Sequence, residues 1–138
     1  TTDAFIDTNI LLYAVSNSAK EIEKKWRARE LLEKVNFGLS EQVLQEFYVT
    51  VTRKIRKPVS PDVAVALLDE YRVFPTVLTD YPLIVAAVQL YLRYGISSLD
   101  CAIVAAAEAL EAPTLYTEDL AHGQRYGKVR AVNPFLET

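Results

Sequence analysis

Asp7, Glu46, Asp100 and Asp119 are the residues of this sequence whose types and places could do chemistry together. Asp7 directly follows the short apolar run Ala4-Phe5-Ile6, and Asp119 lies two residues past a run that ends at Thr117. Asp100 heads an alanine-rich stretch, and Glu46 falls one turn or so into a helical pattern that starts after Ser40. Four carboxylates gathered at one place repel one another unless cations neutralise them. Oxygen-only ligands suit hard divalent ions such as Mg2+ or Mn2+. Asp100 is the most informative of the four. At about 100° per residue it shares a stripe with Ile103, Val104 and Ala107, which must face a core. A carboxylate at the buried edge of an apolar helix needs a partner, because an isolated buried charge is costly. Glu46 borders the Val43-Phe47-Val51 face and shares a polar stripe with Gln42 and Arg53. Each acid also has a plainer role: Asp7 or Asp100 as a helix cap, Glu46 as a solvated helix residue, Asp119 as a turn residue. The set of four carries the argument.

Other chemistries have little to work with. His122 is the only histidine, which excludes metal-free cleavage by paired histidines, and it reads as a surface loop residue. Cys101 has no histidine close in sequence and reads as a small buried side chain. The four glycines are scattered and form no phosphate-cradling loop. The net charge of −3 argues against a protein held to nucleic acid by bulk positive charge. The charge is uneven, however. Residues 1–60 carry ten of the fifteen Lys and Arg against eight of the eighteen Asp and Glu. A nucleic-acid enzyme would use the first half to hold phosphates and its acids to hold metal.

The elements that must position these acids follow from the apolar pattern. A strand is expected over Asp3–Asp7, then a helix from Asn9 to Val15 with Asp7, Thr8 and Asn9 all suited to cap it. A charged helix is expected from Lys20 to Val35, with Ile22, Trp26, Ala28, Leu31, Leu32 and Val35 on its buried side. Phe37–Ser40 reads as a second strand. A third helix runs from Glu41 into the basic run Arg53-Lys54-Ile55-Arg56-Lys57 and stops at Pro58. Ser60-Pro61 starts the next helix, with serine as cap and proline in the first turn. Tyr71 to Leu78 is expected as a third strand, interrupted by Pro75. Asp80 and Pro82 open a long helix that Gly95 closes, and Ser97-Ser98-Leu99-Asp100 caps another to Leu110. Pro113–Thr117 and Val129–Val132 complete the strands.

Strands separated by helices imply parallel pairing with right-handed crossovers, hence an α/β fold, a three-layer α/β/α sandwich on a mostly parallel five-stranded sheet. With no repeats, linkers or low-complexity tracts, residues 1–138 are expected to form a single domain. In such sheets ligands bind beyond the carboxyl ends of the strands, where strand order reverses.

The motifs then match a known family. Phe5-Ile6-Asp7-Thr8-Asn9-Ile10-Leu11-Leu12 resembles the first motif of PIN domains, an apolar strand followed by Asp-Thr-Asn. Ser40-Glu41-Gln42-Val43-Leu44-Gln45-Glu46-Phe47-Tyr48 resembles the second, and Leu99-Asp100-Cys101-Ala102-Ile103-Val104-Ala105-Ala106-Ala107 the third. Leu115-Tyr116-Thr117-Glu118-Asp119-Leu120 resembles the fourth, and Val132-Asn133-Pro134-Phe135 a common ending. Glu118 and Asp119 are adjacent, and the Thr-x-Asp pattern favours Asp119. The resemblance implies a PIN-like fold and a metal-dependent endoribonuclease, a phosphodiester hydrolase using Mg2+ or Mn2+ and leaving 5′-phosphate and 3′-hydroxyl ends. It implies Asp7, Glu46, Asp100 and Asp119 as catalytic and metal-holding acids. The closest likeness is to the toxin of VapBC-type toxin–antitoxin pairs, which implies an RNA substrate, a homodimer and a small antitoxin partner.

Around that set, Thr8, Asn9, Ser40 and Thr117 are expected to hydrogen-bond the carboxylates. Arg53, Lys54, Arg56 and Lys57 are candidates for gripping RNA phosphates. Trp26 reads as core, and Tyr13, Tyr48 and Tyr94 as candidates for a dimer interface. No apolar run nears the roughly 18 residues of a membrane span, and Thr1-Thr2-Asp3-Ala4 does not read as a secretory signal. With a lone Cys101 that can form no internal disulfide, a cytoplasmic protein without a membrane partner is expected. Two rivals stand beside the nuclease. A receiver-like phosphotransfer module would want a lysine soon after the Pro113–Thr117 strand, and none occurs until Lys128. A non-catalytic protein of the same fold would use the acidic pocket only structurally.

Overall fold

Ala4, Phe5 and Ile6 are all buried, which is how a strand looks when helices cover both of its faces. In the computed structural model, which describes residues 2–136, they form β1 (Ala4–Ile6) at the middle of the sheet. The chain continues through α1 (Thr8–Ala14), α2 (Ile22–Lys34), β2 (Phe37–Ser40), α3 (Glu41–Val49) and α4 (Pro61–Asp69). It then runs through β3 (Thr76–Val77), α5 (Tyr81–Tyr94), α6 (Ser98–Ala109), β4 (Thr114–Tyr116), β5 (Arg125–Tyr126) and β6 (Val129–Val132). Short polar side chains start the helices. Ser40, Ser60, Asp80 and Ser97 each accept a backbone N–H three residues on, from Val43, Val63, Leu83 and Asp100. Gly95 ends α5 at φ +68°, a left-handed conformation that costs any residue with a Cβ.

The sheet order is β3-β2-β1-β4-β6-β5, parallel throughout except for β5 against β6. Strands β1 to β3 step outward one way; β4 then starts on the other side of β1, paired Ala4 to Thr114, Phe5 to Leu115 and Ile6 to Tyr116. With right-handed crossovers this reversal puts α1–α4 on one face and α5–α6 on the other. The contacts follow that division: α1 touches α2 and α3, α3 touches α4, and α5 touches α6. Helix α6 lies directly on the sheet, where its alanines allow close approach to β1, β2, β4 and β6. Phe5, Ile6, Ile10, Leu11, Leu39, Phe47, Val104 and Leu115 fill the core. The crevice that strand-order reversal predicts lies beyond the ends of β1 and β4.

Several local expectations fail for physical reasons. The sheet has six strands, not five: Arg125–Tyr126 turns back on β6 through Gly127, at φ +62°, and Lys128. Tyr71–Phe74 is not strand but a turn, with the Tyr71 and Phe74 amides on the carbonyls of Leu68 and Tyr71. Only Thr76–Val77, past Pro75, pairs with β2. Helix α3 ends at Val49, and a wider turn carries Thr50–Lys54 before Ile55 becomes extended. The β-branched run Thr50-Val51-Thr52 is stiff there, and the Thr52 hydroxyl bonds back to the Tyr48 carbonyl at 2.7 Å. Trp26 is not core but 58% exposed. Two residues apart on a helix lie about 200° apart, so Trp26 and the buried Ala28 cannot face inward together. No single helix among the described residues is long and apolar enough to cross a membrane.

Candidate active site

Asp7 occupies the step from β1 to α1. Its carboxylate accepts the Thr8 backbone N–H at 2.7 Å and the Thr117 hydroxyl at 2.7 Å, and the residue is buried. Thr117, just past β4, does more than hold Asp7: its hydroxyl oxygen also accepts the Asp119 backbone N–H at 3.1 Å. One hydroxyl thus ties the ends of the two central strands together and orients two of the acids. Asn9, on the first turn of α1, donates its side-chain N–H to Asp119 at 3.1 Å. Gln42 donates to Glu46 at 2.9 Å from one turn earlier in α3.

The four acids line one cleft of about 200 Å3, which Ser97, Leu99 and Ile103 complete. Asp7 comes from a strand end, Asp119 from the loop after β4, Glu46 from the helical layer on one side and Asp100 from α6 on the other. Neither lysine nor arginine lines the cleft, and among the described residues none of these four carboxylates makes an ion pair. The proton affinities record the strain. Burial pushes the Asp7 carboxyl up to about 6, Thr117 and Thr8 hold it back, and Asp119 and Glu46 raise it further by like-charge repulsion. Asp119 is raised too, by partial burial and then by Asp100, with Asn9 opposing.

Glu118 is outside this set although it adjoins Asp119. The Tyr13 hydroxyl donates to it at 2.6 Å, and Lys24 from α2 pairs with its other oxygen. Burial pushes the Glu118 carboxyl up, but Lys24 and Tyr13 outweigh that, and it lies below its usual range. The choice that sequence leaves between the two adjacent acids is thereby made by geometry: Asp119 faces the cleft.

The other sequence-singled residues are distributed as follows. Thr8 meets Asp7 through its backbone, while its hydroxyl and the Asn9 side-chain oxygen are buried without a hydrogen-bond partner. Ser40 touches no carboxylate: its hydroxyl caps α3 on Val43, and the residue lines a second cavity. Arg53, Lys54, Arg56 and Lys57 are exposed and make no ion pair among the described residues. Arg53 follows Glu46 by seven residues, beyond the end of α3 at Val49, and none of the four basic residues lines the cleft. His122 is exposed and accepts the Asn133 backbone N–H at 2.9 Å. Burial raises the Cys101 thiol, which leaves it a packed, unreactive side chain. Tyr13 and Tyr94 are half-buried, and each makes an internal hydrogen bond: the Tyr13 hydroxyl donates to Glu118, and the Tyr94 hydroxyl accepts the Gly127 N–H at 2.7 Å. Sequence reading gave Ser97 only a cap and did not find Lys24, whose partner lies 94 residues away.

The donor set fits a hard divalent cation. It is all oxygen and carries up to four negative charges with no internal counter-ion, and the two residues that hydrogen-bond Asp7 and Asp119, Thr8 and Asn9, each keep a buried side-chain oxygen without a partner. Among the described residues, no three acids close around a single metal position in the arrangement seen. Asp7 is fixed by its hydrogen bonds, whereas Glu46, Asp100 and Asp119 are at least partly exposed.

The family model for the PIN domain matches residues 4–128. No curated protein matches the chain. Among solved structures, a toxin–antitoxin complex from Klebsiella pneumoniae aligns with a TM-score of 0.69 and 20% identity, over 96% of this chain and 98% of its own. VapC20 of Mycobacterium tuberculosis, described as a sarcin–ricin loop cleaving toxin, aligns with a TM-score of 0.68 and 20% identity, over 92% and 98%. FitAcB from Neisseria gonorrhoeae gives 0.69 and 20%, over 97% and 99%. At this identity the likeness is one of fold, and the structural neighbours are VapC toxins and toxin–antitoxin complexes. With the family model spanning nearly all of a sheet whose strand-order reversal carries Asp7, the chain belongs to the PIN domain family.

Proposed function

We propose that this protein is a divalent-metal-dependent endoribonuclease, the toxin of a toxin–antitoxin pair, which self-associates as a homodimer and is neutralised by a small antitoxin. The observation that carries the reading is the cleft at the strand-order reversal, lined by Asp7, Glu46, Asp100 and Asp119 with no cation of the chain's own. A Mg2+ or Mn2+ ion held there would lower the pKa of a water and offset charge growing on a phosphate. The chain's own part is to hold and to orient. Asp7, fixed at the strand end by Thr117 and the Thr8 amide, would be the rigid ligand for such an ion, with Asp100 from α6 beside it. Glu46 and Asp119, steadied by Gln42 and Asn9, complete the acid set and orient the attacking water. In the hydrolysis the water oxygen bonds to phosphorus, the bond from phosphorus to O3′ breaks, and the departing oxygen takes a proton. The products are a 5′-phosphate and a 3′-hydroxyl. Arg53, Lys54, Arg56 and Lys57 meet the backbone of a longer RNA away from the cleft.

End-labelled RNA incubated with the protein and Mn2+ tests this, beside Asp7→Asn and Asp100→Asn variants and a chelated control. Cleavage by the parent alone is expected, with each variant slower by at least about 100-fold, the order seen when a charge-stabilising group is removed. Cutting that survives both substitutions, or that ignores the chelator, would overturn the assignment.

A further inference from the structure

Asp119 is the most exposed of the four acids, and it sits in the loop after β4, outside any helix or strand. Packing therefore does little to aim it. Its carboxylate accepts one side-chain hydrogen bond among the described residues, from Asn9 at 3.1 Å, and a single bond leaves a pivot. The neighbouring Glu118 supplies a second tie. The two adjacent side chains diverge, Asp119 to Asn9 and Glu118 to Tyr13, whose hydroxyl donates at 2.6 Å. Asn9 and Tyr13 lie four residues apart on α1, so they share one side of the helix about a turn apart. The loop is thus fastened to α1 at two points, which sets its direction as well as its position. Lys24 of α2 closes the second tie, pairing with Glu118 and donating to the Tyr13 hydroxyl at 3.3 Å. Its ammonium lies 4.8 Å from the centre of the Tyr13 ring and 5.4 Å from that of Phe135. Phe135 stands edge-on to Tyr13 with ring centres 5.0 Å apart. Arg27 holds the Phe135 segment by donating to the Pro134 carbonyl at 3.1 Å.

We propose that Tyr13 and Lys24 are positioning residues, which set the place of Asp119 in the acidic cleft by holding Glu118. The inference rests on the reading of Asp119 as one of the proposed metal-holding acids, and deepens it by naming what aims that acid. Three observations favour aim over the plainer roles of a surface ion pair or a grip on RNA. The Lys24 side chain is 41% exposed, and an ion pair so open adds little to stability. Neither Tyr13 nor Lys24 lines the cleft, so any effect on the acids passes through Glu118. The Lys24 ammonium is already committed to a carboxylate, a hydroxyl and two ring faces, unlike the unpaired Arg53 and Lys54. Three parts of the chain, α1, α2 and the segment after β6, thereby converge on one side chain that is not itself an acid of the cleft. The electrostatic effect of Lys24 has the opposite sign to its positioning effect. A lysine near four acids repels a divalent cation, so a role in charge alone means that removing it tightens cation binding. A role in aim means that removing it loosens binding.

Calorimetric titration of Mn2+ into the full chain tests it, with Lys24→Met, Lys24→Arg and Tyr13→Phe beside the parent. Lys34→Met, which breaks the exposed pair with Glu30 on the same helix, is the control. Lys24→Met is expected to bind Mn2+ about 10-fold more weakly, the lower end of what losing an outer partner of a metal site costs. Tyr13→Phe is expected to weaken binding too, whereas Lys24→Arg keeps the cation and restores most of the affinity, and Lys34→Met changes nothing. The Lys24→Met, Tyr13→Phe double variant is expected to lose little more than Lys24→Met alone, because residues acting as one unit are not additive. With RNA as substrate, Lys24→Met is expected to lower kcat by a similar factor and to leave KM within about twofold of the parent's. Far-UV circular dichroism and thermal unfolding check that each variant is folded. Mn2+ binding that is unchanged or tighter in Lys24→Met, or a loss that Lys34→Met shares, would overturn the inference. So would a rise in KM at constant kcat, the mark of a lysine that grips phosphate. A parent that binds Mn2+ but leaves RNA intact counts against the nuclease reading alone, and the Mn2+ comparison still decides this one. A parent that binds no Mn2+ overturns both.

Discussion

Asp7 is a helix cap, the acceptor for Thr117 and a buried carboxylate with two like-charged neighbours, and these roles act on its proton in opposite directions. Burial wins, lifting it from 3.8 to about 6. A carboxyl whose folded pKa is raised binds its proton more tightly folded than unfolded. The stability it contributes is therefore fully present below about pH 4 and is lost as pH rises through about 6. At about 1.4 kcal/mol per unit, the difference is roughly 3 kcal/mol near neutrality when no cation is bound. Asp7→Asn removes the ionisation while keeping the shape. Urea unfolding with chelator present is thus expected to show the variant more stable than the parent at pH 7.5, by about 1–3 kcal/mol, with the gain vanishing near pH 4. A variant less stable than the parent at pH 7.5 would mean that the carboxylate is already compensated. The same substitution is expected to abolish cleavage, so stability and activity move in opposite directions at this residue.

At the scale of elements, each acid is placed by the way its element begins. Ser97 caps α6 by accepting the Asp100 N–H at 3.1 Å, which fixes the turn that presents Asp100. Ser60 caps α4 in the same way on Val63, away from the cleft. Ser97→Ala and Ser60→Ala are both expected to lower unfolding stability by about 1 kcal/mol. Only Ser97→Ala is expected to slow RNA cleavage as well. Equal activity losses in the two would show that the cap at Asp100 has no positioning role. These starts were legible in sequence because capping is local: Ser40, Ser60-Pro61, Asp80 and Ser97 announce helices from a few residues. Strand ends at Asp7 and Thr117 were legible for the same reason. Long-range partners were not. Nothing near Lys24 says that it pairs with Glu118, and although Ala28 and Leu31 lie inward on α2 as the apolar pattern predicts, nothing near Trp26 says that it is left off that side. The strand at Arg125–Tyr126 is too short to announce itself before its pairing with β6 is seen.

For the molecule as a whole, the acids and the apolar face of α5, where Tyr81, Ile84, Val88, Tyr91 and Leu92 are exposed, are the two surfaces left unbalanced within one chain. The sequence displayed α5 as a long apolar helix but not which side lay outward, because a helix apolar all round has no contrast from which to read a face. The acid cleft is the opposite case: its members are spread over more than a hundred positions, and only the reversal of strand order between β1 and β4 collects them. A charge excess built by the fold should be relieved by an ion that binds only the fold. Binding to the folded state alone stabilises by about 2.7 kcal/mol at a hundred times the dissociation constant. For a chain of this size that is a rise in melting temperature of roughly 10 °C. Differential scanning fluorimetry is expected to show this with Mn2+ and to lose it with chelator. The rise should be smaller at pH 5.5 than at pH 8, because protons compete for Asp7 and Asp119, whose affinities are raised. The Asp7→Asn, Asp100→Asn double variant is expected to start at a higher melting temperature in chelator and to gain little from Mn2+. If parent and double variant rise equally, the ion is binding elsewhere on the surface, and the cleft has lost its reason to hold four acids.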